Sequence, residues 1–262
     1  MEIKLKDTER IDDIQLKGLR LIQDTTGFCF GVDAVLLANF ATVRRGASVV
    51  DLGTGTGIIP ILIAGKSEAK EIVGVEIQEE VYEMATRSVL LNDLQDRVKI
   101  VNGDIKTIDQ MLEVNKFDVV TSNPPYMHDN GIKNPNDKKA ISRHEVLCNL
   151  EDVMRASSRL LKDLGKFYMI HRPTRLIEII TLGRKYKLEP KQIQFIHPKQ
   201  GKAPNIMLVQ FTKGGKPDLK ILDPLYVYDE NGQYTQQIND IYANQDIGEK
   251  LLAEKYMYVQ LL

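Results

Sequence analysis

The segment Val49-Val50-Asp51-Leu52-Gly53-Thr54-Gly55-Thr56-Gly57-Ile58-Ile59 constrains the fold of this chain more than any other. A short strand-forming run enters a turn with glycine at every second position, and an aliphatic helical run follows. Glycines at Gly53, Gly55 and Gly57 let backbone approach a ligand closely. Their spacing is not the GxGxxG of a dinucleotide site, which disfavours a nicotinamide dehydrogenase.

From residue 47 onward strand and helix signals alternate, the pattern of a parallel, doubly wound sheet. Strands are expected near 47–52, 71–77, 98–102, 116–122, 164–171, 190–197 and 205–212. A helix is expected over about Gln78 to Asn92, where Val81, Met84, Ser88 and Leu91 follow helical spacing. Another is expected over Leu150 to Lys162, with Asp163 to Lys166 as its glycine-containing exit. The fold class is therefore α/β, a doubly wound, seven-stranded, mostly parallel sheet with short terminal extensions. The expected division is an N-terminal segment (1–45), the main domain (46–214) and a C-terminal extension (215–262). Asp33, at the start of a short helix after an aromatic loop, is expected to be an N-cap, while Phe28 and Phe30 are candidates to roof a ligand pocket. A helix is also expected around Ile247 to Tyr256.

Asn123-Pro124-Pro125-Tyr126 follows the fourth strand. The two prolines fix φ and hold each preceding residue extended, which aims the Asn123 side chain and the Pro124 carbonyl into one pocket. Those two acceptors suit an amide or exocyclic amino group, a poor nucleophile whose N–H groups must be held while an electrophile is presented. Tyr126 offers a flat face for a base. A plain turn is the competing reading of these four residues alone. The stretch from Met127 to Asn149, with Arg143-His144-Glu145, is placed as a substrate loop.

The two cysteines, Cys29 and Cys148, lack CxxC spacing, and His128, His144, His171 and His197 lack ligand spacing, so no metal is expected and each histidine reads as a loop or surface residue. No apolar run reaches membrane-spanning length and the first residues are charged, so no membrane partner and a cytoplasmic location are expected. The formal net charge is −1, yet Lys162 to Lys220 holds thirteen basic residues against four acidic ones. Such a lopsided chain suits a polyanionic partner; solvated helix and loop faces are the other reading.

The acidic residue with GxGxG, the later strand-end carboxylates and the NPPY tetrad together resemble the class I S-adenosylmethionine-dependent methyltransferases of the amino-group-modifying branch, with a Rossmann-like fold. The resemblance implies S-adenosylmethionine as cofactor, held by Asp51, Gly53, Gly55 and Gly57. It gives Glu76, with Ile77, the ribose hydroxyls, and gives Asp104, with Ile105, the adenine amino group; helix capping competes for Asp104. Asn123, the fourth strand-end position, completes the set, and catalysis falls to Asn123, Pro124 and Tyr126.

Such enzymes act on adenine in DNA, purines in RNA or a protein glutamine amide. The stretches Phe28 to Leu37, Arg143-His144-Glu145, His171 to Leu176, His197-Pro198-Lys199 and Pro224 to Asp229 resemble the bacterial tRNA(Val) adenine-N6 methyltransferases, over about residues 5–243. That implies tRNA as partner and the purine beside the anticodon as target, with Pro125, Tyr126, Arg143, Arg172 and Arg175 toward substrate. A protein-glutamine methyltransferase is the chemical rival; it usually carries an N-terminal helical domain for which the chain before Gly53 is too short. A non-enzymatic cofactor-binding adaptor is expected to have lost Asn123 or the glycines, and both are present.

Overall fold

The computed structural model describes residues 3–27, 30–125 and 148–243. In chain order come strands β1 (Glu9–Asp13) and β2 (Arg20–Asp24), helix α1 (Val32–Phe40), β3 (Ser48–Leu52), α2 (Ile58–Lys66), β4 (Glu71–Glu76), α3 (Glu79–Leu91) and β5 (Val98–Asn102). A 3-10 turn at Ile105–Gln110 leads to β6 (Phe117–Ser122), α4 (Leu150–Leu160) and β7 (Leu161–His171). A second at Pro173–Arg175 leads to α5 (Leu176–Lys185), β8 (Leu188–Lys199), β9 (Ile206–Lys213), β10 (Lys220–Ile221), β11 (Leu225–Tyr228) and α6 (Gln236–Ala243).

The central sheet has the order β5-β4-β3-β6-β7-β9-β8, with β10 and β11 both pairing to β8. Among its described strands only β9 runs antiparallel to its neighbours. The seven expected strands are all present, and two short ones from the segment after residue 214 widen the sheet to nine. β1 and β2 form a separate antiparallel pair. α4 stops at Leu160, and Asp163 to Lys166 are not a helix exit but part of β7, whose pairing with β6 shifts between Phe117 and Val119. The chain absorbs that shift with Leu164 at φ 61° and Gly165, where a Cβ would lie 2.9 Å from the Lys162 carbonyl.

β3 is buried along its whole length, as a central parallel strand covered on both faces must be. One apolar cluster joins α1, α2, α3 and α6 to one face, and a second joins α4, α5 and the Ile105–Gln110 turn to the other. α2 is apolar almost all round because it is enclosed; Ile61 and Leu62 are fully buried, each stabilising by roughly 1.5–3 kcal/mol relative to exposure. Its first turn depends on Gly57, whose φ of 87° strains any side-chain-bearing residue and where an added Cβ would sit tightly, 3.3 Å from Ala85 Cβ. α4 begins with a capping box, Asn149 accepting from the Asp152 N–H and Asp152 from the Asn149 N–H.

Candidate active site

β3 is paired on one side to β4 and on the other to β6, so the order of connection reverses between β3 and β6. Sheets of this kind leave a crevice beyond the carboxyl ends of the strands at such a point. The ends are tied together there. Thr121 Oγ1 donates to Asp51 Oδ1 at 2.7 Å, and Ser122 Oγ donates to the Leu52 carbonyl at 2.8 Å.

The glycine loop leaves β3 on two bonds to β4: the N–H groups of Gly53 and Thr54 both donate to the Val75 carbonyl, at 3.0 and 2.9 Å. Gly53, Gly55 and Gly57 all have left-handed φ, of 74°, 55° and 87°, which explains glycine at each turn position. Around Gly55 nothing lies within 4 Å of a Cβ position, and at Gly53 only the Ile105 side chain reaches 4.0 Å, so this stretch of backbone faces open space. Gly74 in β4 serves the same loop from below, because a Cβ there would stand 2.9 Å from Thr54.

Glu76 ends β4 with its carboxylate buried and aimed by backbone. Oε2 accepts from the Gly55 N–H at 3.0 Å and Oε1 from the Gln78 N–H at 2.9 Å. Oε1 also accepts from Gln78 Nε2 at 3.4 Å, so of the two oxygens it is Oε2, with one donor, that retains capacity for a hydroxyl. Asn102, which sequence reasoning passed over, donates from Nδ2 to the Glu76 and Ile77 carbonyls at 3.1 and 3.2 Å and so fixes the end of β5 to the end of β4. Asp104 caps the Ile105–Gln110 turn, accepting from the Lys106 N–H at 2.8 Å.

Asp51 is fully buried, and its Oδ2 has no hydrogen-bond partner among the described residues. Burial pushes its carboxyl up to about 6, against the opposing pull of the Thr121 hydroxyl.

Asn123, Pro124 and Pro125 follow β6 directly, across from the glycine loop. Asn123 Nδ2 donates to Asp33 Oδ2 at 3.1 Å. This corrects the expected role of Asp33: Gly31 is the α1 N-cap residue, and Asp33 lies inside the first turn with its side chain directed to Asn123. Phe30 lies just before α1, its N–H donating to Gln23 Oε1 at 2.8 Å and its ring packed against the core. Phe28, Tyr126 and Arg143, together with Cys29, His128, His144 and the expected helix at Ile247 to Tyr256, lie outside the described residues.

His171 ends β7 and is not a surface residue; it is 4% exposed, and burial reinforced by the Arg175 charge holds it well below the usual histidine range, at about 4. Since Ser122 pairs with Met169, the continued register sets Ile170 beside Asn123, and His171 and Arg172 beside Pro124 and Pro125. Arg175 Nη2 donates to Glu178 Oε1 at 2.8 Å.

The basic segment does not form one surface. Lys162 pairs with Asp118, Arg184 with Glu189 and Lys185 with Glu151. Lys187, Lys213 and Lys216 lie at the amino edge of the parallel strands, whereas Arg172, Arg175, Lys199 and Lys202 lie at the carboxyl edge with the crevice. Among the described residues no three His, Cys, Asp or Glu are grouped to hold a metal ion, and no helix is long and apolar enough to cross a membrane.

The chain is similar to the tRNA1(Val) (adenine(37)-N6)-methyltransferase of Phocaeicola vulgatus, with 29% identity covering 87% of this chain and 96% of the relative. It is equally similar to the protein of that name from Histophilus somni, at 29% identity over 88% and 98% of the two chains. Among solved structures, a predicted O-methyltransferase from Agrobacterium tumefaciens superposes with a TM-score of 0.67 at 25% identity, over 82% of this chain and 98% of the other. Residues 44–215, which span the glycine loop, Glu76, Asp104 and Asn123, match the family model for a methyltransferase domain, and the chain belongs to that family.

Proposed function

We propose that the protein uses S-adenosylmethionine to methylate the N6 amino group of an adenine in tRNA, the purine beside the anticodon of tRNA(Val). The observation that carries this reading is the meeting, at one switch point, of an open glycine loop, a backbone-held Glu76 and the Asn123-Pro124-Pro125 segment. The names of the relatives supply the substrate.

The residues present fit the cofactor. The backbone at Gly53 and Gly55 faces open space, Glu76 Oε2 keeps a lone pair for a ribose hydroxyl, and Asp51 Oδ2 is a buried acceptor. When bound, S-adenosylmethionine supplies a methyl group on a positively charged sulfur. Glu76 and the loop of Gly53, Gly55 and Gly57 hold the nucleoside end; Asp104 and Ile105 border its base, beside Ile77. The adenine amino group donates its two N–H groups to the Asn123 side-chain oxygen and the Pro124 carbonyl. That contact turns the nitrogen lone pair toward the methyl group and stabilises the positive charge that grows there. The methylated nitrogen then releases one proton to solvent. Pro125 and Tyr126 border the base, and Arg172 and Arg175 at the same edge, with Arg143, meet phosphate. The reaction takes place in the cytoplasm, where tRNA is.

The test is incubation of purified protein with methyl-labelled S-adenosylmethionine and, separately, total tRNA, DNA and a peptide release factor, followed by digestion. Label in N6-methyladenosine from tRNA is expected. Label confined to a glutamine peptide or to DNA overturns the substrate assignment.

A further inference from the structure

Asn123 must present its side-chain oxygen, not its NH2 group, to a substrate that donates N–H. The two ends of an amide have nearly the same shape, so something has to choose between them. The strand before it and the proline after it place the Asn123 side chain but do not by themselves decide which end of the amide faces the substrate.

Asp33 makes that choice. α1 carries it to Asn123 from 90 residues upstream, and its Oδ2 receives the Asn123 Nδ2 donor at 3.1 Å. Its other oxygen, Oδ1, is held at 3.0 Å by the Ala34 N–H of its own helix. An ionised carboxylate only accepts, so a flipped Asn123 would set oxygen against oxygen. Position in the first turn of α1, where the helix dipole favours a negative charge, keeps Asp33 suited to this task. Gly31 supplies the room: its φ is an ordinary −109°, but a Cβ there would stand 2.8 Å from Asp33 Oδ1.

We propose that Asp33 is a positioning residue for methyl transfer, fixing the Asn123 amide so that its oxygen faces the target amino group. This inference rests on the amino-group reading of the site given above.

The experiment compares wild type, Asp33→Ala, Asp33→Asn and Gly31→Ala by single-turnover methyl transfer to tRNA, cofactor titration, thermal melting and the 15N–1H resonances of the Asn123 side chain. Asp33→Ala is expected to slow transfer about 10- to 100-fold with cofactor affinity within about 2-fold of wild type. Asp33→Asn keeps the shape of the side chain, but with its oxygen on the Ala34 N–H it turns an NH2 group toward Asn123, so it is expected to lose rate as Asp33→Ala does. Gly31→Ala displaces the carboxylate without removing it and is expected to reproduce part of the loss, which keeps the test decisive should Asp33→Ala unfold. Transfer by both Asp33→Ala and Gly31→Ala within 2-fold of wild type overturns the proposal, as does an Asn123 amide whose resonances do not move in either. The resonances need no activity, so a wild type inactive on tRNA counts against the substrate reading while the orientation of Asn123 is still read.

Discussion

Thr121 Oγ1 donates to Asp51 Oδ1 at 2.7 Å, joining the last turns of β6 and β3 beneath the glycine loop, in full burial. Burial outweighs the pull of the Thr121 and Thr54 hydroxyls on a carboxylate taken wholly out of water. The carboxyl therefore holds its proton up to about 6 in place of its ordinary 3.8. Between those values the folded protein binds more protons than the unfolded one, so the contribution of Asp51 to stability falls as pH rises through the window.

Asp51→Asn should accordingly melt higher than wild type at pH 8, by the equivalent of roughly 1–3 kcal/mol, and converge with it near pH 4. Melting curves of the ligand-free proteins across that range measure this. A gap that does not change with pH would place its origin elsewhere than ionisation of Asp51.

His171 acts in the opposite sense. Its folded value of about 4 lies below the ordinary 6.5, so the unfolded chain binds more protons between them and stability is lost as pH falls through that window. His171 Nδ1 accepts from the Arg172 N–H at 2.8 Å, a bond that Gln can offer through its own side-chain oxygen. His171→Gln should flatten the acid limb of the stability curve between about pH 6.5 and 4, as read by denaturant midpoints.

Asn123→Ala should lower the transfer rate on the order of 100-fold or more, the scale for losing a preorganised polar contact to the reacting group, with cofactor affinity nearly unchanged. Rapid-quench rates beside calorimetry separate the two quantities. Near wild-type transfer would sink the amino-group mechanism.

Glu76→Ala should weaken S-adenosylmethionine binding by roughly 1.5–3 kcal/mol, the range for hydrogen bonds to a charged group. It also strips the Gly55 and Gln78 N–H groups of their acceptor, so the melting temperature should fall with it. NAD should not compete in the same titration. An unchanged dissociation constant would leave Glu76 a purely structural acid.

Charge reversal at Lys199 and Lys202, exposed at the carboxyl edge, should weaken tRNA binding and reduce its salt dependence. The same change at Lys187 and Lys216, exposed at the opposite edge, should do neither. Gel shifts at two salt concentrations, with cofactor titrations as control, compare the pairs. Equal losses from both would mean that tRNA does not approach along the crevice edge. Reversal at Arg175 is a weaker probe, because it also sets like charge against Glu178.

The sequence by itself determined what depends on near neighbours: the seven main strands from their apolar runs, the helix over Glu79–Leu91 from its spacing, and left-handed turns at Gly53, Gly55 and Gly57. Strand ends were equally legible, so Glu76, Asp104 and Asn123 could be placed at one edge once the sheet was known to be parallel. Only the tertiary structure decided which side chains meet. The same local sequence around Asp33 permits an N-cap or a partner for Asn123, and the docking of α1 selects the second. The basic run from Lys162 to Lys220 reads as one cluster along the chain, yet Asp118 and Glu151, both outside it, neutralise two of its lysines, and its passage up and down the sheet through β7, β8 and β9 divides its members between opposite edges. Burial likewise removed His171 from the surface. Local propensity acts through bonds a few residues long, whereas pairing, burial and charge neutralisation act through space, where residues 90 apart in the chain stand at hydrogen-bond distance.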